Sequence, residues 1–327
     1  MTTPLLVVSD LHTTFDTPRG PLPAVRGVSF SVEENKTVGI VGESGSGKTV
    51  LARTIMGLQP VRGVHLSGSV LLNGHEIINR PHNELRHLWG SQVAMIFQDP
   101  MTSLNPVRKI GDQIAESLQV GLGIKRKEAR ARALDLLVKV GIPSPQDRFN
   151  AYPSQLSGGM RQRVVIASAL SCNPKLVLAD EPTTGLDVTI QAQILDLLDN
   201  MKTERKMSTI LVTHDLGVVA TRTDHIYVMY AGRIVESLPT ADLHAHHRHP
   251  YTAALLNSTP RIENKSHTRL TAIAGSPPNL LKPVTGCAFA ARCSQATDVC
   301  HSQTPELRRE NGASEFACFN PVGATLR

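Results

Sequence analysis

A glycine-rich segment of eight residues is the feature that most narrows what this chain can fold into. Residues 42–49 read GESGSGKT and match the pattern G-x-x-x-x-G-K-[ST] at every position. The apolar residues 37–41 before it predict a short buried strand, and residues 50–56 after it predict the start of a helix. A strand, a glycine loop and a helix in this order form a phosphate site, because loop amides and a helix N-terminus both favour an anion.

The motif gives each residue of the loop a role. Lys48 is predicted to reach the β- and γ-phosphates of a nucleotide, and Thr49 to offer its hydroxyl to Mg²⁺. An ordinary glycine-rich turn is the alternative, and the agreement of all eight residues and both flanks disfavours it. The other predicted nucleotide-binding residues of the loop are Gly42, Ser44, Gly45, Ser46 and Gly47.

Composition describes a globular protein without a marked preference for one kind of partner. The 327 residues suffice for one large domain and a small one, and 41% hydrophobic and 19% charged residues are ordinary values for soluble proteins. A net charge of +6 permits a nucleic-acid or anionic-membrane partner without requiring one. No run of 18 apolar residues and no signal peptide is present, so we expect a cytoplasmic chain.

Periodicity divides the chain into four parts. Short alternating strands fill the N-terminal region, residues 107–170 follow a helical pattern, and strands then alternate with helices up to about residue 240. Such alternation predicts a largely parallel sheet covered on both faces. Beyond residue 240 His and Pro become frequent and the periodicity fades, so we place a domain boundary there, between residues 1–240 and 241–327.

A second apolar strand ends in two acidic residues. Residues 176–179 are Leu, Val, Leu and Ala, and Asp180 and Glu181 follow. The carboxyl ends of strands in an α/β sheet open onto the ligand crevice. Asp180 is therefore predicted to hold Mg²⁺, and Glu181 to polarise the water that attacks the γ-phosphate.

Four further segments identify the family that the chain resembles. Residues 156–163, LSGGMRQR, resemble the signature motif of ATP-binding-cassette (ABC) ATPases. Gln98 matches that family's Q-loop glutamine, His214 its switch histidine, and residues 185–187 its D-loop. The resemblance covers roughly residues 5–240. It implies an α/β fold with a RecA-like mixed sheet, N-terminal antiparallel strands and an inserted helical subdomain at about residues 99–165, followed by a small irregular Cys-bearing domain.

The resemblance also implies how the site works. Two cassettes pack head to tail, so that ATP lies between the phosphate loop of one and the signature motif of the other. Gln98 would contact Mg²⁺ and the attacking water, His214 would contact the γ-phosphate, and Phe15 would stack on adenine unless it is a core residue of the N-terminal sheet. The remaining predicted nucleotide contacts are Ser157, Gly158, Gly159 and, in the D-loop, Asp187.

One signature residue departs from the broad family pattern. Met160 stands where Gln is usual, and this Met resembles the peptide-importer branch. Residues 94–106, AMIFQDPMTSLNP, and residues 248–252, RHPYT, also resemble the ATPase subunits of dipeptide and oligopeptide importers. That branch implies a location on the cytoplasmic face of the inner membrane, two membrane-spanning permease subunits, a second and different cassette subunit, and an external solute-binding protein, with no nucleic acid.

Four of the five cysteines lie in the C-terminal tail, with the spacing C-x₅-C-x₆-C-x₁₇-C. Clustered cysteines in a cytosolic chain favour a metal over disulfides. Zinc is disfavoured because no C-x₂₋₄-C pair is present, and unligated thiols are the third possibility. The resemblance points to a [4Fe–4S] cluster, with the ligands Cys287, Cys293, Cys300 and Cys318.

The cargo is not specified by the sequence. Importers of nickel, glutathione and other peptide-like solutes share these motifs, so peptide import is the leading hypothesis and those solutes are the alternatives. A soluble cassette ATPase that acts on nucleic acid or ribosomes is disfavoured, because the chain has one cassette and no long coiled-coil insertion. An exporter ATPase is disfavoured by the Cys-bearing tail.

Overall fold

The computed structural model describes residues 4–60, 62–258, 273–309 and 314–323. The chain forms two compact units. The first unit contains Met1–Leu5, Glu33–Lys36 and Arg80–Ile210, and the second contains Leu6–Val32, Thr37–Asn79 and Leu211–Arg327. No helix in the described ranges is long and apolar enough to cross a membrane.

Strands and helices alternate over much of the described chain. The strands are β1 Leu6–Thr17, β2 Gly20–Val32, β3 Thr37–Val41, β4 Val64–Leu72, β5 His75–Glu76, β6 Val93–Ile96, β7 Leu176–Asp180, β8 Ser208–Thr213, β9 His225–Tyr230, β10 Arg233–Pro239, β11 Arg308–Arg309 and β12 Glu315–Phe316. The helices are α1 Lys48–Ile55, α2 His82–Leu85, α3 Pro100–Ser103, α4 Ile110–Leu122, α5 Arg126–Lys139, α6 Pro145–Arg148, α7 Gly158–Ala169, α8 Val188–Arg205, α9 Leu216–Arg222, α10 Leu243–His246, α11 Pro250–Ser258 and α12 Asp298–Ser302.

The second unit contains an antiparallel sheet with the strand order β2-β1-β4-β5. It also contains the series β11-β12-β10-β9-β3, in which β3 runs parallel to β9 and the other pairs are antiparallel. A two-residue turn joins β9 to β10, and its residues Ala231 and Gly232 have φ of 47° and 81°. Positive φ at both central positions is the conformation that matches the twist of a tight hairpin.

The core of the second unit extends into the C-terminal tail. One buried cluster joins the end of β3, helix α9 and strands β9 and β10 to Tyr251 of α11 and Phe289 of the tail. The Tyr230 ring lies 4.6 Å from that of Tyr251 and 5.3 Å from that of Phe289, in tilted and edge-on arrangements that aromatic rings favour. The tail therefore shares a hydrophobic core with the strands that support the phosphate loop.

The first unit combines a parallel strand pair with a group of helices. Strands β6 and β7 pair from Val93 opposite Leu176 to Ile96 opposite Ala179, and all nine of their residues are buried. Helices α4, α5 and α7 pack against one another, and α7 also packs on β6 and α8. This helical group confirms the helical character expected for residues 107–170.

Candidate functional site

The phosphate loop runs from β3 to α1, as the sequence predicted, and close contacts make two of its glycines necessary. A Cβ atom on Gly42 would lie 2.1 Å from the Met229 carbonyl oxygen. One on Gly47, where φ is 99°, would lie 2.4 Å from the Ala24 carbonyl oxygen. Real Cβ atoms do not approach a backbone oxygen so closely, so only glycine lets the loop adopt this path.

Two polar side chains face the inside of this loop. The Lys48 side chain is almost fully buried, and its Nζ donates hydrogen bonds to the carbonyl oxygens of Gly42 at 2.7 Å and Glu43 at 3.0 Å. The Ser46 hydroxyl is buried and has no hydrogen-bond partner within the described residues. A buried cation and an unsatisfied hydroxyl inside a ring of glycines fit the oxygens of a nucleotide phosphate.

The turn of the β9–β10 hairpin forms a backbone hydrogen bond with the phosphate loop. The Gly232 N–H donates to the Ser46 carbonyl at 2.9 Å, and the Gly232 carbonyl accepts from the Arg26 N–H at 2.8 Å. These bonds fix the middle of the loop to residues far away in the sequence.

The acidic end of β7 is built as expected. Asp180 is the last residue of the strand and is 1% exposed. Glu181 follows with φ of 47°, a left-handed conformation that turns the chain sharply away from the strand. Glu181 Oε2 accepts hydrogen bonds from Gln98 Nε2 and from the Thr184 hydroxyl, both at 2.8 Å. The structure therefore brings two of the predicted catalytic side chains, Gln98 and Glu181, into direct contact.

The signature segment begins helix α7. Ser157 caps the helix, with its hydroxyl accepting the Met160 N–H at 3.3 Å, and Ser157 and Gly158 are exposed. Asp187 caps α8 in the same way by accepting the Ile190 N–H at 3.0 Å. A Cβ on Gly159 would lie 2.8 Å from Ile190 Cγ2, so these two helix starts approach closely at a glycine. An exposed helix N-terminus here is able to attract an anion.

The remaining predicted nucleotide residues lie in the second unit. His214 follows β8 directly and is exposed, and Asp215 caps α9 by accepting the N–H groups of Gly217 and Val218. Phe15 is half-buried on β1, opposite Leu22 of β2 and Val64 of β4.

The four tail cysteines gather in one place, but they do not form a ready metal site. Burial raises the pKa of Cys287, Cys293 and Cys318, that of Cys318 to about 12, and the charges of the other thiols add to the shift at Cys318. In the described residues, no group of three or more His, Cys, Asp or Glu side chains is arranged so that it could hold a metal ion. The iron–sulfur expectation is therefore not supported by the side-chain geometry.

A cavity of about 300 Å³ also lies within the second unit. Its walls include Arg26, Arg233, Cys287 and Phe289, and none of the predicted nucleotide-binding residues lines it. It is thus separate from the phosphate loop.

Sequence reasoning missed three residues that touch the predicted site. Thr184 could have been found, because a Thr three residues after Glu181 is at the spacing of a local side-chain contact. Tyr251 and Arg292 both bind Glu43 of the loop, at separations of 208 and 249 residues. Neither belongs to a nucleotide motif, so no sequence signal indicated their contact with the loop.

Comparison with known proteins agrees with this geometry. Residues 25–184 match the ABC transporter family, and residues 235–300 match the oligopeptide/dipeptide transporter C-terminal region. The dimeric structure of MJ0796, a bacterial ABC transporter cassette, superposes with a TM-score of 0.64 at 26% identity and covers 72% of this chain and 98% of that one. CbiO1 from Clostridium perfringens gives a TM-score of 0.62 at 26% identity, over 74% of this chain and 91% of that one.

Curated relatives extend the similarity to nearly the whole chain. The oligopeptide transport ATP-binding protein OppD of Salmonella typhimurium is 47% identical over 98% of this chain and 95% of its own length. AppD of Bacillus subtilis is 46% identical over 96% of both chains. The chain therefore belongs to the ATP-binding subunits of ABC transporters, and it is an ATPase with a mixed α/β cassette fold. Within that family it falls in the oligopeptide/dipeptide importer branch.

Proposed function

We propose that this chain is the ATP-hydrolysing subunit that energises peptide import through an ABC transporter of the cytoplasmic membrane. The observation that carries the proposal is the 47% identity to an oligopeptide transport ATP-binding protein over both the cassette and the C-terminal region. The hydrolytic residues that this chain contributes are all present, which supports an active cassette rather than a degenerate one.

In the proposed mechanism the phosphate loop binds the nucleotide. The loop amides and Lys48 hold the β- and γ-phosphates, and the Ser46 hydroxyl supplies a donor that has no other partner in the described structure. Phe15 stacks on the base. Mg²⁺, which Thr49, Gln98 and Asp180 would hold, neutralises charge on the phosphates when it is bound.

Glu181 is proposed as the general base. Its carboxylate accepts the proton of the attacking water, and Gln98 and Thr184 hold that carboxylate in one orientation through their hydrogen bonds. His214 contacts the γ-phosphate. Because Gln98 belongs to the segment that precedes the helical group, movement of those helices can change the orientation of the base.

The second half of the ATP site is proposed to come from a partner cassette. The capped N-terminus of α7, with Ser157, Gly158 and Gly159, would face the γ-phosphate bound by the partner, and Asp187 would lie at the same interface. ATP then joins two cassettes, and its hydrolysis releases them. A different, paired subunit is the expected partner.

The wider assembly follows from the branch. ABC importer ATPases work with membrane permease subunits, and we propose two of them here, with a solute-binding protein outside the cell and this chain at the cytoplasmic face. The division into residues 1–240, with a helical subdomain at about 99–165, and residues 241–327 stays a prediction.

We also propose, as a separate point, that the four tail cysteines acquire a [4Fe–4S] cluster. The nearness of Cys287, Cys293 and Cys300 to Cys318 supports it, since thiolates at those three positions would add to the raised pKa of Cys318. In the described residues their arrangement does not suit a metal ion, so the four thiols would have to rearrange in order to hold a cluster. Iron and acid-labile sulfide analysis of anaerobically purified protein tests this, and absence of both would contradict it.

The proposed function is tested by the ATPase activity of the chain assembled with its membrane and cassette partners in lipid. We expect binding protein loaded with a peptide mixture to stimulate hydrolysis, and unloaded binding protein to stimulate it less. Stimulation by a nickel chelate or by glutathione instead would transfer the assignment to those solutes. Activity that responds to none of them would contradict import of this cargo class.

A further inference from the structure

One residue of the phosphate loop is bound by the C-terminal tail. Glu43 occupies a variable position of the loop motif, yet its carboxylate forms a two-pronged ion pair with Arg292, Oε2 to Nη1 at 2.6 Å and Oε1 to Nη2 at 2.9 Å. Its N–H donates to the Tyr251 phenol oxygen at 2.8 Å. Both ends of this residue are thus held by side chains from beyond residue 250.

Hydrogen bonds from every N–H donor hold the Arg292 guanidinium in place. Besides Glu43, it donates to the Ala274 carbonyl at 2.8 Å, to the Tyr230 hydroxyl at 3.3 Å and to the Ile273 carbonyl at 3.3 Å. These five hydrogen bonds equal the five N–H donors of a guanidinium. The Arg292 side chain is 3% exposed and that of Glu43 is 28% exposed, so the arginine end of the ion pair is shielded from water and salt.

Aromatic rings complete the surroundings of the guanidinium. Its central carbon lies 5.9 Å from the ring centroids of both Tyr230 and Phe289, within the range of cation–π attraction. The ion pair with Glu43 raises the pKa of Arg292, so the cation persists at every physiological pH.

Glu43, which the tail binds, also contacts Lys48 of the phosphate loop. The Glu43 carbonyl oxygen accepts a hydrogen bond from Lys48 Nζ at 3.0 Å, so the residue that the tail binds is also a residue that positions Lys48. Release of Glu43 would free the second residue of the loop and displace a carbonyl that helps to hold the ammonium group.

We infer that Arg292 and Tyr251 are positioning residues for ATP binding, through which the tail sets the geometry of the phosphate loop. This rests on the proposed placement of ATP at that loop. The tail then acts on the nucleotide site of its own chain, in addition to any role in assembly.

The test compares ATP hydrolysis by the lipid-embedded assembly that carries wild-type, Arg292→Gln or Glu43→Gln chains. We expect each single variant to raise KM for ATP about tenfold, as the loss of charge-assisted hydrogen bonds predicts, with kcat within about threefold, because Glu181 is held by other contacts. The double variant should be no worse than either single one, since both remove the same contact. Arg292→Lys keeps the positive charge but cannot form two parallel hydrogen bonds to the carboxylate, so its KM for ATP should lie between those of wild type and Arg292→Gln.

A matched control distinguishes this role from a general effect on the tail. Arg309→Gln removes an exposed arginine that pairs with Glu315 in the same C-terminal region, and it should leave KM unchanged. Tyr251→Phe deletes only the phenol oxygen and keeps the packed ring, and about a threefold rise in KM is expected. The inference would be overturned if the assembly with Tyr251→Phe or Arg292→Gln melts at a lower temperature but keeps its KM for ATP. It would also be overturned if the KM increases of Arg292→Gln and Glu43→Gln multiply in the variant that carries both.

The same assay keeps this inference apart from the proposed function. If the wild-type assembly hydrolyses ATP but does not respond to peptide, the cargo assignment fails while the Arg292 comparison stands. If Lys48→Ala binds and hydrolyses ATP normally, the placement of ATP fails, and the inference fails with it.

Discussion

The close approach of α7 to α8 at Gly159 predicts how much an alanine at this position would change the free energy of unfolding. An alanine Cβ at this position would lie 2.8 Å from Ile190 Cγ2, whereas one on neighbouring Gly158 would lie 3.5 Å from Leu186 Cδ2, an ordinary contact. Alanine gains up to about 1 kcal/mol over glycine in a helix. Crowding of a packed site costs about 1–3 kcal/mol.

The two substitutions should therefore have opposite effects. We expect Gly158→Ala to stabilise the chain slightly and Gly159→Ala to lower the free energy of unfolding by up to about 2 kcal/mol, once helix propensity offsets part of the crowding. Urea titration of the full chain measures both. In an Ile190→Ala background, which removes the crowding atom, Gly159→Ala should become neutral or stabilising.

The comparison has a clear negative outcome. If Gly159→Ala is as stable as Gly158→Ala, the helices separate at little cost, and the contact with Ile190 does not constrain the signature segment. The same conclusion follows if the Ile190→Ala background leaves the effect of Gly159→Ala unchanged.

Three further predictions concern the base, a buried histidine and the tail. Glu181→Gln should abolish hydrolysis while ATP stays bound, because the amide cannot accept the proton of water. Measurements of turnover and of nucleotide retained by the assembly test this, and near-normal turnover would mean that another group is the base. Burial lowers the pKa of His249 from 6.5 to about 4, so the unfolded chain takes up a proton first as pH falls. The stability from this group is complete above pH 6.5 and declines towards pH 4, by on the order of 3 kcal/mol. In urea titrations, wild type should therefore lose that much more stability than His249→Gln between pH 6.5 and pH 4. Cys293→Ser should make the tail sensitive to protease before it weakens ATP binding, and unchanged protease resistance with unchanged metal content would contradict a structural role for the cluster.

Much of the fold was predictable because its signals are local. The strand, loop and helix around residues 37–56 were correctly identified. Buried strands of a parallel sheet have continuous apolar runs, and glycine loops have fixed spacing, so both are visible in one sequence.

The contacts between distant segments could not be predicted. Glu43 occupies a position where the motif accepts any residue, and Arg292 stands beside Cys293, which attracted a metal interpretation instead. The ion pair between them, in which Arg292 is buried and Glu43 partly exposed, depends on the packing of Tyr230, Tyr251 and Phe289, and no local pattern in the sequence encodes it. The bond between Gln98 and Glu181 was foreseeable only through the family resemblance, which assigned both residues to one site.

The hydrogen bond from Gly232 to Ser46 has a consequence for how the protein is made. The phosphate loop is translated early, but β9 beside β3 and the turn that holds the loop come much later. At ordinary rates of synthesis, the ribosome needs roughly 12–50 s to proceed from Thr49 to Arg292. During that interval the growing chain carries the complete glycine motif, while Gly232, Tyr251 and Arg292, which hold the loop, are added only in the later part. We therefore expect nascent chains to acquire affinity for ATP only near the end of translation, and their exposed apolar strands to depend on chaperones until then.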